Sequence, residues 1–326
     1  MSIKDAWKIT VSSVTDFLDG NILKLSASLA FFTIFSLPGL LIIIIWFSDI
    51  FYGREAVEGT VYRQIEGFVG SNAAIEIQDT IRNATLSSGS TFATIVGLIA
   101  LIIGATSVFG EIQDSINRIW RLKAKPKKGF GILKLIFNRL LSFSMIITLG
   151  FILLVSLILN GALDFLLNKL MIRYPEITVV LVYVLNLITT YVITAFIFAA
   201  IFKVLPDARI KWKHVRIGAC VTAALFMVGR FVITYYLGTN KMSSAYGAAG
   251  SIIVVLLWVY YSSMILYFGA AFTHAYVMFK GSRIYPNSYA VWVQQVEVES
   301  EKSIQHQPEK KMVIETPPPP QEEIKN

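Results

Sequence analysis

One cysteine, three histidines and a charged fraction of 15% leave this chain of 326 residues with little of the side-chain chemistry that enzymes use. Cys220 has no intrachain partner, which excludes a disulfide framework. His214, His274 and His306 each stand without a second histidine two to four residues away. A metal-hydrolase site needs such clusters to activate water, so none is expected, and a lone helical histidine such as His274 reads as a packed residue. A phosphate-cradling Gly-rich loop ending in Lys-Ser/Thr and a nucleophile elbow are also missing, which argues against an ATPase and an acyl hydrolase. The expectation is therefore of no catalytic residue, no metal and no cofactor.

What the chain has in abundance is apolar sequence: 55% of residues are hydrophobic and the mean hydropathy is +0.62. Runs free of charge extend over Leu25–Ser48, Asn83–Gly110, Leu140–Leu163, Ile177–Phe202, Ile217–Gly229 and Met242–Phe279. Crossing a bilayer takes ~20 mostly apolar helical residues. Five runs exceed that length unaided, and the fifth reaches it by including Arg230 and continuing to Leu237. The pattern predicts an all-α polytopic membrane protein, a bundle of six transmembrane helices at 25–50, 91–112, 140–163, 177–203, 215–237 and 246–279. The first run is too long for a signal-peptide core and is expected to stay as a helix.

Orientation follows from basic residues. The N-terminal segment, the second and fourth loops and the exit of the last helix carry eighteen Lys and Arg, against six in the first, third and fifth loops. Positive charge stays on the cytoplasmic side, so both termini are predicted to be cytoplasmic in a bacterial inner membrane. The net charge of +8 is then better read as topology signals and contacts to anionic headgroups than as a nucleic-acid surface.

The flanks have their own patterns. Ile3, Trp7, Val11, Val14 and Leu18 recur at helical spacing among Lys4, Asp5 and Lys8, which predicts an amphipathic interfacial helix over 1–24. The loop over 53–90 is acidic and carries apolar residues that suggest short amphipathic helices. Residues 281–326 turn polar and end near four consecutive prolines, 317–320, and are expected to be a disordered cytoplasmic tail. Val291-Trp292-Val293 alternates like a strand, but a lone strand is marginal.

Inside the runs, Pro38 removes a backbone hydrogen bond and is expected to kink the first helix. Small residues such as Gly97 and Gly104 suit close helix packing. Arg230 lies roughly 10 Å below the outer end of the fifth helix, at 1.5 Å per residue. Asn186 falls at similar depth on the fourth helix and Asn160 near the outer end of the third. A guanidinium among amides suits a phosphate or carboxylate, so Arg230, Asn186 and Asn160 form the candidate substrate site. The alternative is an arginine that snorkels to headgroups or is satisfied by carbonyls and Asp164. Glu111, Asp114, Asn117 and Arg118 share one face at the end of the second helix. That face reads either as a helix emerging into water or as a charged gate built from Glu111, Asp114 and Arg118.

Several of these strings resemble the YihY/BrkB family of bacterial inner-membrane proteins. The resemblance runs through Ala30-Phe31-Phe32-Thr33-Ile34-Phe35-Ser36-Leu37-Pro38, Ser107-Val108-Phe109-Gly110 with Gln113, Asn117 and Ile119-Trp120, and Gly150 to Leu157. It continues in Leu205-Pro206-Asp207-Ala208-Arg209 and is strongest at Tyr246-Gly247-Ala248-Ala249-Gly250-Ser251, leading to Trp258-Val259-Tyr260-Tyr261. The resemblance implies six helices with cytoplasmic ends. It also brings an inherited ribonuclease label, which the residues do not support, a virulence label, and a connection with moving lipid A precursors. It transfers no binding or catalytic residues. The expected function is a transporter or translocase of an anionic lipid or envelope precursor. The alternative is a structural or envelope-assembly factor with no transport path. Membrane lipids, most of all anionic ones, are the expected partners, with a homo-oligomer or an envelope-biogenesis partner left open and nucleic acid excluded.

Overall fold

The computed structural model describes residues 3–51, 75, 91–124, 152, 175–239, 250–287 and 290–293. The expected span at 140–163, most of the loop at 53–90, Asn160, the motif residues Tyr246 and Gly247, and the chain from 294 onward lie outside the described residues.

The first helix, α1 (Ile3–Asp19), ends in a tight turn and is followed by α2 (Ile22–Phe51) at an angle of 64°. Asn21 makes the corner with φ 53°, a left-handed conformation that asparagine tolerates better than most residues. Its carbonyl then accepts from Lys24 N–H and Leu25 N–H, which starts α2. Helix α2 runs without interruption through Pro38. Next come α3 (Thr91–Ile119), β1 (Leu122–Ala124) and α4 (Pro175–Val204), which opens on a proline already fixed at the helical φ. Pro206 prevents α4 from continuing. The short turn holds β2 (Ala208–Arg209) and leads to α5 (Trp212–Thr239). Helix α6 (Gly250–Phe279) closes on Gly281 at φ 65°, with Gly281 N–H donating to Met278 O and Ser282 N–H to Val277 O, a left-handed cap that glycine allows.

The chain after α6 departs from expectation. Where a disordered tail from 281 is expected, two short segments are paired: β3 (Tyr285–Pro286) runs antiparallel to β2, and β4 (Ala290–Trp292) antiparallel to β1. Val293 N–H also donates to Arg121 O at 2.8 Å. The physical reason is that β1 and β2 leave unpaired backbone groups where α3 and α4 end, and this segment satisfies them. The segment supports itself as well. Trp292 Nε1 donates to Ile284 O at 3.0 Å, and the Tyr285 and Trp292 rings lie 6.0 Å apart.

Helix α2 packs on α3 and α6, α5 on α4 and α6, and α1 on α6. The α5–α6 contact rests on a reciprocal arrangement. Thr222 bonds back to Gly218 O and abuts Gly269, while Thr273 bonds back to Gly269 O and abuts Gly218. Each hydroxyl is thus satisfied inside its own helix, and each glycine gives the opposing threonine room. Gly104 plays the same part on α3, where an added Cβ would lie 2.7 Å from Ser36 Cα of α2.

Outward faces are apolar. Val180, Tyr183, Ile188, Val192 and Phe196 of α4 are exposed, as are Phe31 and Phe35 of α2. Among the described residues, Val180–Val204, Trp212–Tyr236 and Ile252–Phe279 are long and apolar enough to cross a membrane, and the bent α1–α2 pair counts as a fourth if taken as one span. Long rings and branched side chains on the outside, with polar groups turned in or placed at helix ends, suit a helical protein solvated by lipid.

Candidate anion site and polar hub

Val215, Ala219, Ala223 and Phe226 form the buried stripe of α5, and Arg230 is the next residue on it. The sequence places a cation in an otherwise apolar run, and the stripe turns it inward. Arg230 is half-buried, its Nη1 is buried, and its guanidinium carbon lies 5.7 Å from the Phe231 ring centroid. One turn towards the strand-bearing end, Phe226 packs against Phe198 of α4 at 5.8 Å and Trp258 of α6 at 6.1 Å. One turn the other way, Ile233 clusters with Val254, Leu257, Trp258 and Tyr261. Tyr261 reaches over α5 so that its hydroxyl packs against Gly229, being the atom nearest to where an added Cβ would stand.

The other expected site residues fall differently. Asn186 is exposed on α4. Of the motif residues, Gly250 begins α6 as described, Trp258 touches Phe226, and Tyr260 is half-buried. The polar face at the end of α3 divides: Glu111 is half-buried, Asp114 and Arg118 are exposed, and Asn117 is buried.

Asn117 leads to a site that the sequence reading passed over as a motif position. Asp207, 4% exposed in the α4–α5 turn, accepts from Gln113 Nε2 at 2.8 Å and Asn117 Nδ2 at 2.9 Å. Its own backbone N–H donates to Asn117 Oδ1 at 2.8 Å, and its carbonyl accepts from Asn287 N–H at 3.0 Å. Asp207 thus ties the α4–α5 turn to α3 through its carboxylate and backbone N–H, and to the segment after α6 through its backbone carbonyl. The available signal was an amide pair at i, i+4 on an isoleucine-rich helix end, facing a short turn with a single acid. Nearby, Trp120 Nε1 donates to Ala270 O at 2.9 Å and fixes α3 on α6. Asp16 of α1 lies 3.6 Å from His274 Nδ1 and 3.8 Å from Arg121 Nη2. Among the described residues, no group of three His, Cys, Asp or Glu could hold a metal ion.

Exposed apolar helices of membrane-spanning length, closed by a polar hub at one end, define a mostly helical integral membrane protein. Residues 13–286 match the family described as virulence factor BrkB, so the chain belongs to that family. It is 25% identical over 279 residues to a UPF0761 membrane protein of Stenotrophomonas maltophilia, covering 81% of this chain and 59% of the relative. It is 28% identical over 216 residues to one from Tolumonas auensis, covering 65% of this chain and 67% of the relative, and 27% identical over 211 residues to one from Pasteurella multocida, covering 64% and 62%. The aligned part spans about three-fifths of the length of the Stenotrophomonas relative. No solved structure matches the chain. The relatives and the apolar helices together make this a bacterial membrane protein.

Proposed function

We propose that the protein is a translocase of the bacterial inner membrane, crossing it six times with both ends in the cytoplasm, and that it takes an anionic lipid or envelope precursor at Arg230. The observation that carries this reading is the position of Arg230 on the core-facing stripe of a helix long enough to span lipid. A charge at that depth is costly, and its most useful return is a charged substrate group. The guanidinium offers a planar fork of donors that a phosphate or carboxylate can meet with two oxygens. Binding and movement are proposed rather than bond cleavage.

Helix α1 supports the orientation. Its Trp7, Val11, Val14 and Leu18 are exposed, while Ile9 and Ser13 on the opposite side are buried against the bundle. Such a stripe beside Lys4 and Lys8 suits a helix lying in an anionic leaflet. The test is lipid movement in proteoliposomes, read by quenching of fluorescently tagged phosphatidylglycerol and phosphatidylcholine. Faster exchange of the anionic lipid with wild type, and none with Arg230→Gln at equal membrane levels, is expected. Equal rates for the two proteins would overturn the reading. A second reading, an assembly factor without a transport path, draws on the Asp207 hub, whose hydrogen bonds serve to hold helix ends together.

A further inference from the structure

Two short ribbons lie where the long helices end, β1 with β4 and β2 with β3. Their register sets a cation opposite an apolar or aromatic residue in each. Lys123 stands across from Val291 and Arg209 across from Tyr285, and all four side chains are exposed. Directly opposed residues of an antiparallel pair point to the same face, so each ribbon presents its cation beside that neighbour. Trp292, also exposed, brings its ring within 6.0 Å of Tyr285 and links the two ribbons. Lys280 and Arg283 are exposed just ahead of β3. Residues 121–124, 208–213 and 280–293 contain no Asp or Glu.

Bulk water is a poor neighbour for this surface, since Tyr285 is 51% exposed and Trp292 40%. The height of the ribbons points to a better one. At 1.5 Å per residue, a helix as long as α5 (Trp212–Thr239) measures about 42 Å, against a hydrocarbon core of ~30 Å, so about 6 Å of it stands in the headgroup layer at either end. Strand β2 ends at Arg209, three residues before α5 begins, and β1 starts three residues after α3 ends. Both ribbons therefore stand at headgroup level. Trp212 marks the same level as the first residue of α5, exposed and with Lys203 Nζ 5.6 Å from its ring centroid. Tyr and Trp rings suit the glycerol region of a bilayer, while Lys and Arg beside them suit anionic phosphates.

We propose that the two ribbons form a headgroup-binding surface for anionic lipid, in which Lys123 and Arg209 meet the phosphate and Val291, Tyr285 and Trp292 rest on the glycerol and first acyl carbons. The occupant is a lipid rather than a soluble polyanion because the cations stand at the ends of helices long enough to span lipid, with exposed apolar groups beside them. The surface is separate from Arg230 and does not depend on any movement of lipid there.

The experiment uses the full chain in mixed phosphatidylcholine and phosphatidylglycerol vesicles. Either lipid is added as a probe with a photoreactive diazirine at the head of an acyl chain, and labelled residues are located by mass spectrometry. Tyr183 and Phe196, exposed on α4, serve as the positive control for lipid contact. Wild type should be labelled within 208–213 and 285–293, more by the phosphatidylglycerol probe than by the phosphatidylcholine one. Lys123→Gln and Arg209→Gln should each lower that preference about fivefold, with an unchanged melting temperature. Val291→Ser should weaken labelling by both probes alike, and Arg230→Gln should leave it intact. Equal labelling by the two probes in wild type, or an unchanged preference in the lysine and arginine variants, would overturn the proposal. Labelling of α4 with none at the ribbons would place this surface outside the bilayer, and binding of poly(U) by the same protein would then give it a soluble polyanion as partner. Labelling lost in Arg230→Gln would overturn the separation of the two sites.

Discussion

Asp207 and Arg230 are an acidic and a basic side chain drawn into the helix bundle to different degrees, the first buried and the second half-buried. Around Asp207, two amide side chains of α3 meet the carboxylate, and the residue's own N–H and C=O bond to Asn117 and Asn287, all between 2.8 and 3.0 Å. Arg230 is half-buried on a helix long enough to span lipid, with its guanidinium carbon 5.7 Å from the Phe231 ring centroid. A buried carboxyl side chain met by two neutral donors of a neighbouring helix is built to hold that helix in place. A cation kept beside apolar rings in a membrane helix is costly to keep for packing alone. The contrast separates a joint from a candidate binding point.

If that contrast is right, stability effects should be largest at the joint and smallest at the arginine, while effects on lipid movement run the other way. Asp207→Ala strands the Gln113 and Asn117 amides and is expected to destabilise by about 3 kcal/mol, seen as a lower melting temperature in detergent. Gly218→Ala drives a methyl into Thr273, a rigid neighbour bonded to its own helix, and should cost about 2 kcal/mol by the same measurement. Trp292→Ala removes the bond to Ile284 O at the joint's outer edge, with an expected loss of about 1 kcal/mol. Arg230→Lys should change stability by no more than about 0.5 kcal/mol yet abolish selective movement of anionic lipid, because an ammonium lacks the planar fork. A large melting shift for Arg230→Lys, or none for Asp207→Ala, would collapse the distinction.

Among the described residues the sequence announced the helices well, because long charge-free runs admit few other outcomes in lipid. Helix α2 starts three residues before the expected 25, and α4 and α5 extend the expected 177–203 and 215–237 by one to three residues at each end. Arg230 was legible too, as a lone cation in an apolar run. The α5–α6 register was not: it depends on where two glycines meet two threonines far along the chain. No local periodicity encodes that. The Asp207 joint was hidden for a related reason, since Gln113 and Asn117 lie some 90 residues from their acceptor and look locally like the polar exit of a helix. Strands of two or three residues are too short to show alternation, so the pairing of 285–293 appeared only with its partners in view.

The seam made by β3 and β4 has a practical consequence for anyone handling the protein. Residues Ile284 to Val293 close the base of the helices, so a reporter or affinity handle spliced on directly after Gly281 would take away a part of the fold while seeming to trim a terminus. The same handle joined beyond Val293 leaves every pairing at that base intact. Placement of a fusion, rather than its size, is then what decides whether such a chimera reports on the native molecule.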